Sequence, residues 1–452
     1  MGGVMGTVIS CFVIYCIPNS GILSSVAWGF SGIFIMLDLI GLSWFYCMVS
    51  GWIGFDGVSL LMAMLVILVP MMSLVSSVSD YKFSDNVGSS KDMEEVVYLI
   101  SLVCIVFFLM SNWMDFYFFF EFSLLPTFWL ILKWGYQPER LQAGVLMLMY
   151  TVCGSLPLLI IILLIWNESF TDSFLLMKLM SGSWEYFQSW TCILMILGFL
   201  VKLPVYLVHG WLPKAHVEAP LSGSMILAGI LLKLGGYGLF RFVWVFEMKM
   251  SGVLMFIIVI SLWGGFMSGL YCLTQSDLKA LIAYSSISHM ALGLGGILSF
   301  YECGKMAGMC LFFAHGLCSP ALFSLAASVY DWSHSRSVLL SKGILRVFPL
   351  FSMFWFLMCI INMGIPPSLN FFSEIFCAGS LVYLSVFFMV PLVLMCLFTG
   401  VYCMFLYSVV NHGVCSKMVK PMFNLSERYL YSLIYSLGIL MGGFLFLSCF
   451  MM

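Results

Sequence analysis

The sequence predicts an all-α polytopic membrane protein of about 14 transmembrane helices, built as two inverted five-helix repeats with two discontinuous helices. Three observations predict it. Of 452 residues, 63% are hydrophobic and only 8% are charged, where a soluble domain carries about 25% charged residues. Apolar runs long enough to cross a bilayer, about 20 residues each, recur along the whole chain. Two of these runs are interrupted by proline or glycine at corresponding places in two halves, which marks helices whose freed backbone groups need protein or water around them.

Taken in order, the run at 1–17 has no basic flank and no small-residue cleavage site, so it reads as a first span and not as a leader. Further spans fall at 21–49, 56–77, 97–112, 114–132 and 141–165. Those at 189–209, 221–246, 251–273, 278–299 and 305–329 follow, and the last are at 346–382, 384–410 and 430–450. The run at 189–209 is interrupted near Pro204. The run at 346–382 is too long for one helix and is broken by Gly364, Pro366 and Pro367. The breaks divide the chain into N-terminal helices at 1–96, a first five-helix unit at 97–246, a second at 251–410 and a C-terminal helix at 411–452. Between the spans, Ser79–Glu95 is the most polar connector and reads as a surface loop.

Alternating spans sort the loop cations unequally. One side holds twelve: Lys82, Lys91, Lys133, Arg140, Lys214, Lys279, Arg336, Lys342, Arg346, Lys417, Lys420 and Arg428. The other holds four: Lys178, Arg241, Lys249 and Lys305. The richer side faces the compartment of synthesis, and both termini face away from it.

Composition narrows the function classes. A net charge of −2 gives no basic footprint for nucleic acid. The 16 cysteines contain no CxxC pair and read as small apolar residues inside helices. No P-loop and no GxGxxG after a strand is present, and no residue pattern indicates a quinone site on this chain. Cofactors are therefore expected to be absent here. The 35 methionines are what a gene read in an animal mitochondrial code would give.

The informative residues are charges placed inside apolar runs. Lys202 stands beside the proline break, and Lys233 lies about twelve residues from either end of its span, roughly 18 Å of helix each way. Glu121 sits in MDFYFFFEFSLLPTFWLIL, too short to reach an interface. Such charges are costly in a bilayer, and they mark ion or proton paths. A buried Lys–Glu pair sits near balance between its charged and neutral forms, because burial and mutual attraction act in opposite directions. Glu374 follows the Pro366–Pro367 break, where water can enter. His289 and His315 are mid-span and lie in sequence between Lys233 and Glu374. A lone buried histidine is usually a satisfied core residue, but imidazole is also the side chain best suited to pass protons near neutral pH. The polar turn between the two lysines carries His209, Lys214, His216 and Glu218, with His209 and His216 placed as groups at the mouth of the broken helix. Asp38 has no evident partner, and His334 and His412 read as loop residues. The chain is therefore expected to move protons.

Five motifs carry a resemblance: GYQPERLQAG at 135–144, KLPVYLVHGWLPKAHVEAP at 202–220, SGSMILAGILLKLGGYGLFR at 222–241, IAYSSISHM at 282–290 and FFAHGL at 312–317. They closely resemble the subunit 4 family of mitochondrial NADH–ubiquinone oxidoreductase, respiratory complex I. HxWLPxAHxEAP alone fits all antiporter-like proteins, whereas GYQPERLQAG points to subunit 4 over subunits 2 and 5. The likeness is strong over 97–410 and is one of hydropathy elsewhere. It implies a fourteen-helix fold that translocates protons while other subunits, carrying NAD, FMN, iron–sulfur clusters and ubiquinone, pass the electrons. It also implies a multi-pass place in the mitochondrial inner membrane, beside the antiporter-like subunits 2 and 5. By matching motif positions, Glu121 resembles the family's glutamate paired with the broken-helix lysine, Lys202. Lys233 resembles the central lysine, His289 and His315 the linking histidines, and Glu374 the terminal acid. Two other readings compete. A subunit of a multisubunit sodium/proton antiporter would share the fold and the Glu–Lys pair, and a structural membrane subunit would use the charges only to hold helices together.

Overall fold

In a computed structural model of the chain, the described residues are 32, 47–48, 51–77, 87–180, 189–246, 252–414 and 427–443. The spans at 1–17 and 21–49, with Asp38, lie almost wholly outside them, as do Lys82, Lys249, Lys417 and Lys420.

Helices account for nearly all the rest, as the apolar runs require. The first, α1, is Gly57–Ser77, and α2 is Val87–Leu109. Then come α3, Trp113–Phe122, and α4, Leu124–Trp134, which read in sequence as one span. The helix interrupts at Ser123, where Pro126 cannot return an N–H to the carbonyl four residues back. α5 is Arg140–Ser169 and α6 is Phe174–Met180. α7, Ser189–Lys202, stops just before Pro204, and the chain stays unwound until α8, Trp211–Glu218. Leu207 sits in that unwound stretch with a left-handed φ of 89°. α9 is Leu221–Phe246, with one wide π turn at Leu227–Leu231. α10 is Gly252–Thr274, α11 is Leu278–Leu298 and α12 is Glu302–Ser333. The long run read at 346–382 is two helices, α13 at Pro349–Asn362 and α14 at Leu369–Leu384, with the break where the sequence places it. α15, Met389–Asn411, and α16, Glu427–Gly442, close the described chain. Among the described residues, eight helices, counting α3 and α4 together, are long and apolar enough to cross a membrane, and α7, α13 and α14 are shorter apolar pieces.

α12 is the hub, packing against α1, α9, α11, α13, α14 and α16. Its span and that of α9 are 100% buried, and that of α11 is 94% buried, against 39% for α5 and 33% for the span ending α15. A helix buried all round is screened from lipid by its neighbours. The helices that carry Lys233, His289 and His315 are these three screened ones. Close packing depends on Gly235 and Gly236 of α9. A Cβ at Gly235 would meet Phe199 O at 2.9 Å and Leu203 N at 3.0 Å, and one at Gly236 would collide with the Phe312 ring. Removing both side chains lets α9 close on the unwinding end of α7 and on α12.

Three expectations need correction. The stretch Ser79–Glu95 is not all loop: α2 begins at Val87, and Asp92 on it pairs with Lys133 at 2.5 Å. Arg241, assigned to a loop, is 1% exposed inside α9. Lys279, also assigned to a loop, is in the first turn of α11 with its ammonium donating to Ala219 O at 2.9 Å. Both cations lie near helix ends, where hydropathy alone cannot separate loop from span. His334 and His412 are the residues that end α12 and α15, as expected of loop residues.

Candidate functional site

Four side chains from the three buried helices α9, α11 and α12 and from the second broken helix meet in one row. Lys233 lies in the middle of α9 and is fully buried. Its ammonium donates to Ala228 O at 2.6 Å, a carbonyl inside the π turn. It also stands 3.2 Å from His315 Nδ1 on α12. The His315 and His289 rings are 5.5 Å apart between centroids. His289 Nδ1 on α11 is 3.1 Å from Glu374 Oε1 on α14, within ion-pair distance though not aligned as a hydrogen bond. Glu374 is 18% exposed, so the row begins in the buried centre and ends at a partly open carboxylate.

The break before α14 shapes that end. Gly364 adopts a left-handed φ of 67°, and a Cβ there would overlap Glu374 Oε2. Glycine therefore serves twice, making the turn and leaving room for the carboxylate. Ser368 caps α14 by accepting from Phe371 N, and Asn370 donates to Ile361 O across the break.

The region around Lys202 is arranged differently. Lys202 ends α7 and is 3% exposed. Its ammonium donates to Phe120 O at 2.5 Å, lies 3.3 Å from Ser123 Oγ, and sits 3.4 Å over the Phe120 ring centroid. Among the described residues it makes no contact ion pair with Glu121, whose Oε1 is buried without a hydrogen-bond partner. The two charges act on each other only at longer range. The structure holds these two residues apart, with the lysine seated on the interruption between α3 and α4.

His216 is not at a mouth. It is fully buried and stacked on Phe323, 5.0 Å between centroids, with neither ring nitrogen bonded. His209 is half-buried and stacks on Tyr206 in the unwound stretch. Beside them a cavity of about 210 Å³ is lined by Glu139, Lys214 and Glu218. Glu218 Oε2 is buried and unbonded, while Oε1 is 3.6 Å from Arg336. The cavity thus gathers two carboxylates and an ammonium beside the 133–140 loop.

Sequence reasoning missed two groups. Asp56 caps α1 through a reciprocal bond with Ser59, N to Oγ and N to Oδ1, each 2.8 Å. It also holds Arg241 by two bonds of 2.8 and 2.7 Å. Arg241 donates to Tyr237 OH, which donates to Phe108 O. The DGVS stretch before an apolar run is a legible cap signal, but its arginine partner lies far along the chain. Tyr402 on α15 reaches His289 Nε2 and Ser288 Oγ, both at 3.3 Å. One tyrosine among 20 gives no such signal.

The model of the membrane domain described as "NADH:quinone oxidoreductase/Mrp antiporter, TM" matches residues 110–399. The chain belongs to this family. It is 42% identical to NADH-ubiquinone oxidoreductase chain 4 of Rhipicephalus sanguineus over 83% of this chain and 84% of the relative. With the chain 4 of Ceratitis capitata the identity is 43%, over 82% and 81%. Two solved structures share the fold. A chain of respiratory complex I from Thermus thermophilus with bound NADH superposes with a TM-score of 0.85 at 20% identity, covering 99% of this chain and 96% of that one. A chain of the Mrp complex from Dietzia sp. gives 0.86 at 16% identity, with the same coverage. The family membership and the shared fold agree with the polytopic, antiporter-like architecture read from the sequence.

Proposed function

We propose that the chain is a proton-translocating membrane subunit of NADH:ubiquinone oxidoreductase, set in the mitochondrial inner membrane. The observation that carries this reading is the row Lys233, His315, His289 and Glu374, whose successive members lie at 3.2 Å, 5.5 Å between ring centroids and 3.1 Å on four separate helices. A proton on Lys233 passes to His315 Nδ1, crosses to His289 through one bridging water or a ring rotation, and reaches the Glu374 carboxylate. Uptake runs from the cavity at Glu218 by His216 and His209. Glu121 and Lys202 form a second station whose separation or closure gates the first. In this reading the units at 97–246 and 251–410 act as the two halves of the path.

Electron transfer takes place on other subunits, which hold NAD, FMN, the iron–sulfur clusters and ubiquinone, and this chain needs no redox centre. Its neighbours are other membrane subunits of the complex, with the antiporter-like subunits 2 and 5 on its flanks. The 38–49% identity with chain 4 relatives supports this assignment over a sodium/proton antiporter subunit, for which the shared family and the fold speak.

The test uses NADH-driven proton uptake by sealed vesicles containing the complex. Lys233→Arg keeps the charge but does not give up a proton near neutral pH, while Lys233→Ala removes the charge. Both abolish pumping if Lys233 relays protons. Full pumping by the arginine variant, with loss in the alanine variant, means that the charge only holds helices together and overturns the relay. A label on the 133–140 loop reachable only from outside the matrix overturns the orientation.

A further inference from the structure

We propose that Tyr402 is a positioning residue for His289, a two-way hydroxyl that keeps imidazole Nε2 hydrogen-bonded whether or not that nitrogen carries a proton. The inference rests on the relay reading of His289 and adds to it a residue that neither motif nor spacing indicates.

The argument is a count of donors and acceptors around one buried hydroxyl. Tyr402 is 1% exposed, and its oxygen lies at 3.3 Å from both His289 Nε2 and Ser288 Oγ. Ser288 already donates its own hydrogen to Ser285 O at 2.7 Å. Its oxygen is therefore left as an acceptor. The tyrosine has one hydrogen and two acceptors at equal reach. His289 Nδ1 faces Glu374, so Nε2 is the ring nitrogen that Tyr402 serves.

With Nε2 bare, Tyr402 donates its hydrogen to that nitrogen, and Ser288 Oγ keeps only the bond it makes to Ser285. When Nε2 gains a proton, the new N–H donates to the Tyr402 oxygen, and the tyrosine hydrogen turns to Ser288 Oγ. One N–H bond forms, with the proton supplied by the relay, and no other covalent bond changes. The tyrosine hydrogen, and the Nε2 hydrogen when it is present, has an acceptor in both states. Without the hydroxyl, one state or the other would leave a buried polar group unsatisfied, which costs the full desolvation of that group. A relay station must hold two protonation states at similar free energy, and a rotating hydroxyl between two acceptors supplies that balance without moving a helix. The three residues sit on α11 and α15, so the device also ties His289 to the outer helix of the second half.

The test compares variants of the assembled complex by proton uptake into sealed vesicles per complex. Tyr402→Phe keeps the ring and removes the hydroxyl, and is expected to slow pumping about five- to tenfold. Ser288→Ala removes the acceptor used when Nε2 is protonated and is expected to slow it to a smaller degree, while Ser288→Thr keeps the hydroxyl and pumps as wild type. The double variant Tyr402→Phe/Ser288→Ala is expected to be no slower than Tyr402→Phe, because Ser288 acts only through the tyrosine. Wild-type pumping by Tyr402→Phe overturns the proposal. So does a full multiplicative loss in the double variant, which is how two independent packing defects behave. If Tyr402→Phe does not assemble, the serine pair decides, and equal rates for Ser288→Ala and Ser288→Thr overturn it. His289→Gln separates the two readings. Loss with His289→Gln but not with Tyr402→Phe removes only the hydroxyl role, and normal pumping by His289→Gln removes the relay and this inference together.

Discussion

The Lys233–Glu374 row and the Glu121–Lys202 region place similar ionisable groups in dissimilar states. In the row that runs from Lys233 of the first five-helix unit to Glu374 of the second, lysine, histidines and glutamate follow one another at 3.2 Å, 5.5 Å between ring centroids and 3.1 Å, screened by α9, α11 and α12. In the other region, Lys202 is bonded to a backbone carbonyl and an aromatic face, while Glu121 is left without a partner on its buried oxygen. Below Lys202 lies an aromatic wall that includes Phe107, Phe116, Phe120, Phe199 and Tyr237. A buried contact ion pair near it is Asp56–Arg241, a bidentate clamp between α1 and α9 and not part of the row. The difference teaches that a buried charge pair takes one of two forms here. A pair that only holds helices is closed, with its lone pairs satisfied. The Glu121–Lys202 pair is left open, its lysine bonded to Phe120 O and its buried carboxylate oxygen unbonded.

The clamp gives the largest expected effect. Arg241→Met leaves Asp56 buried without its partner, which costs about 3–5 kcal/mol. Thermal melting of the assembled complex should fall clearly, and Asp56→Leu added to Arg241→Met should recover much of the loss. Pumping per surviving complex should not change. A pumping defect in that double variant would place the clamp in the path and erase the contrast between closed and open pairs.

Next is Glu374→Gln. As the end of a pre-assembled row it should lose proton uptake on the order of 100-fold, the scale of a lost acid–base group. Glu121→Gln should slow uptake only several-fold, since Lys202 already has neutral partners. Equal losses at the two glutamates would break the comparison of the two regions.

Gly364→Ala sharpens it. The added methyl would overlap the Glu374 carboxylate and strain a left-handed residue. The cost of the strain alone is about 1 kcal/mol, so assembly should survive while the His289–Glu374 contact opens. Uptake should fall a few-fold, and Gly364→Ala combined with Glu374→Gln should be no worse than Glu374→Gln. Unchanged uptake would show that the carboxylate position is not fixed by the break.

Much of this was open to reading in the residues. Pro204 and the Gly364–Pro367 stretch ended helices where expected, because a proline removes a backbone donor whatever surrounds it. Glu121, Lys202, Lys233 and Glu374 stood out because charge in an apolar run needs a reason. The Glu121–Lys202 separation was not legible: it depends on the interruption at Ser123, which offers the lysine a carbonyl and a hydroxyl in place of a carboxylate. His216 read as a mouth residue because the turn around it is polar, yet packing of Phe323 over its ring buries it.

What the sequence determined by itself was the membrane class, the breaks and the identity of the buried charges. Those are local properties, fixed by hydropathy over about 20 residues and by backbone chemistry at single prolines and glycines. Only the tertiary structure decided which charges touch. His289 and Glu374 are 85 positions apart, Asp56 and Arg241 are 185 apart, and His289 and Tyr402 are 113 apart. Contacts at such separations are set by how α9, α11, α12, α14 and α15 pack, and no window of sequence contains that information.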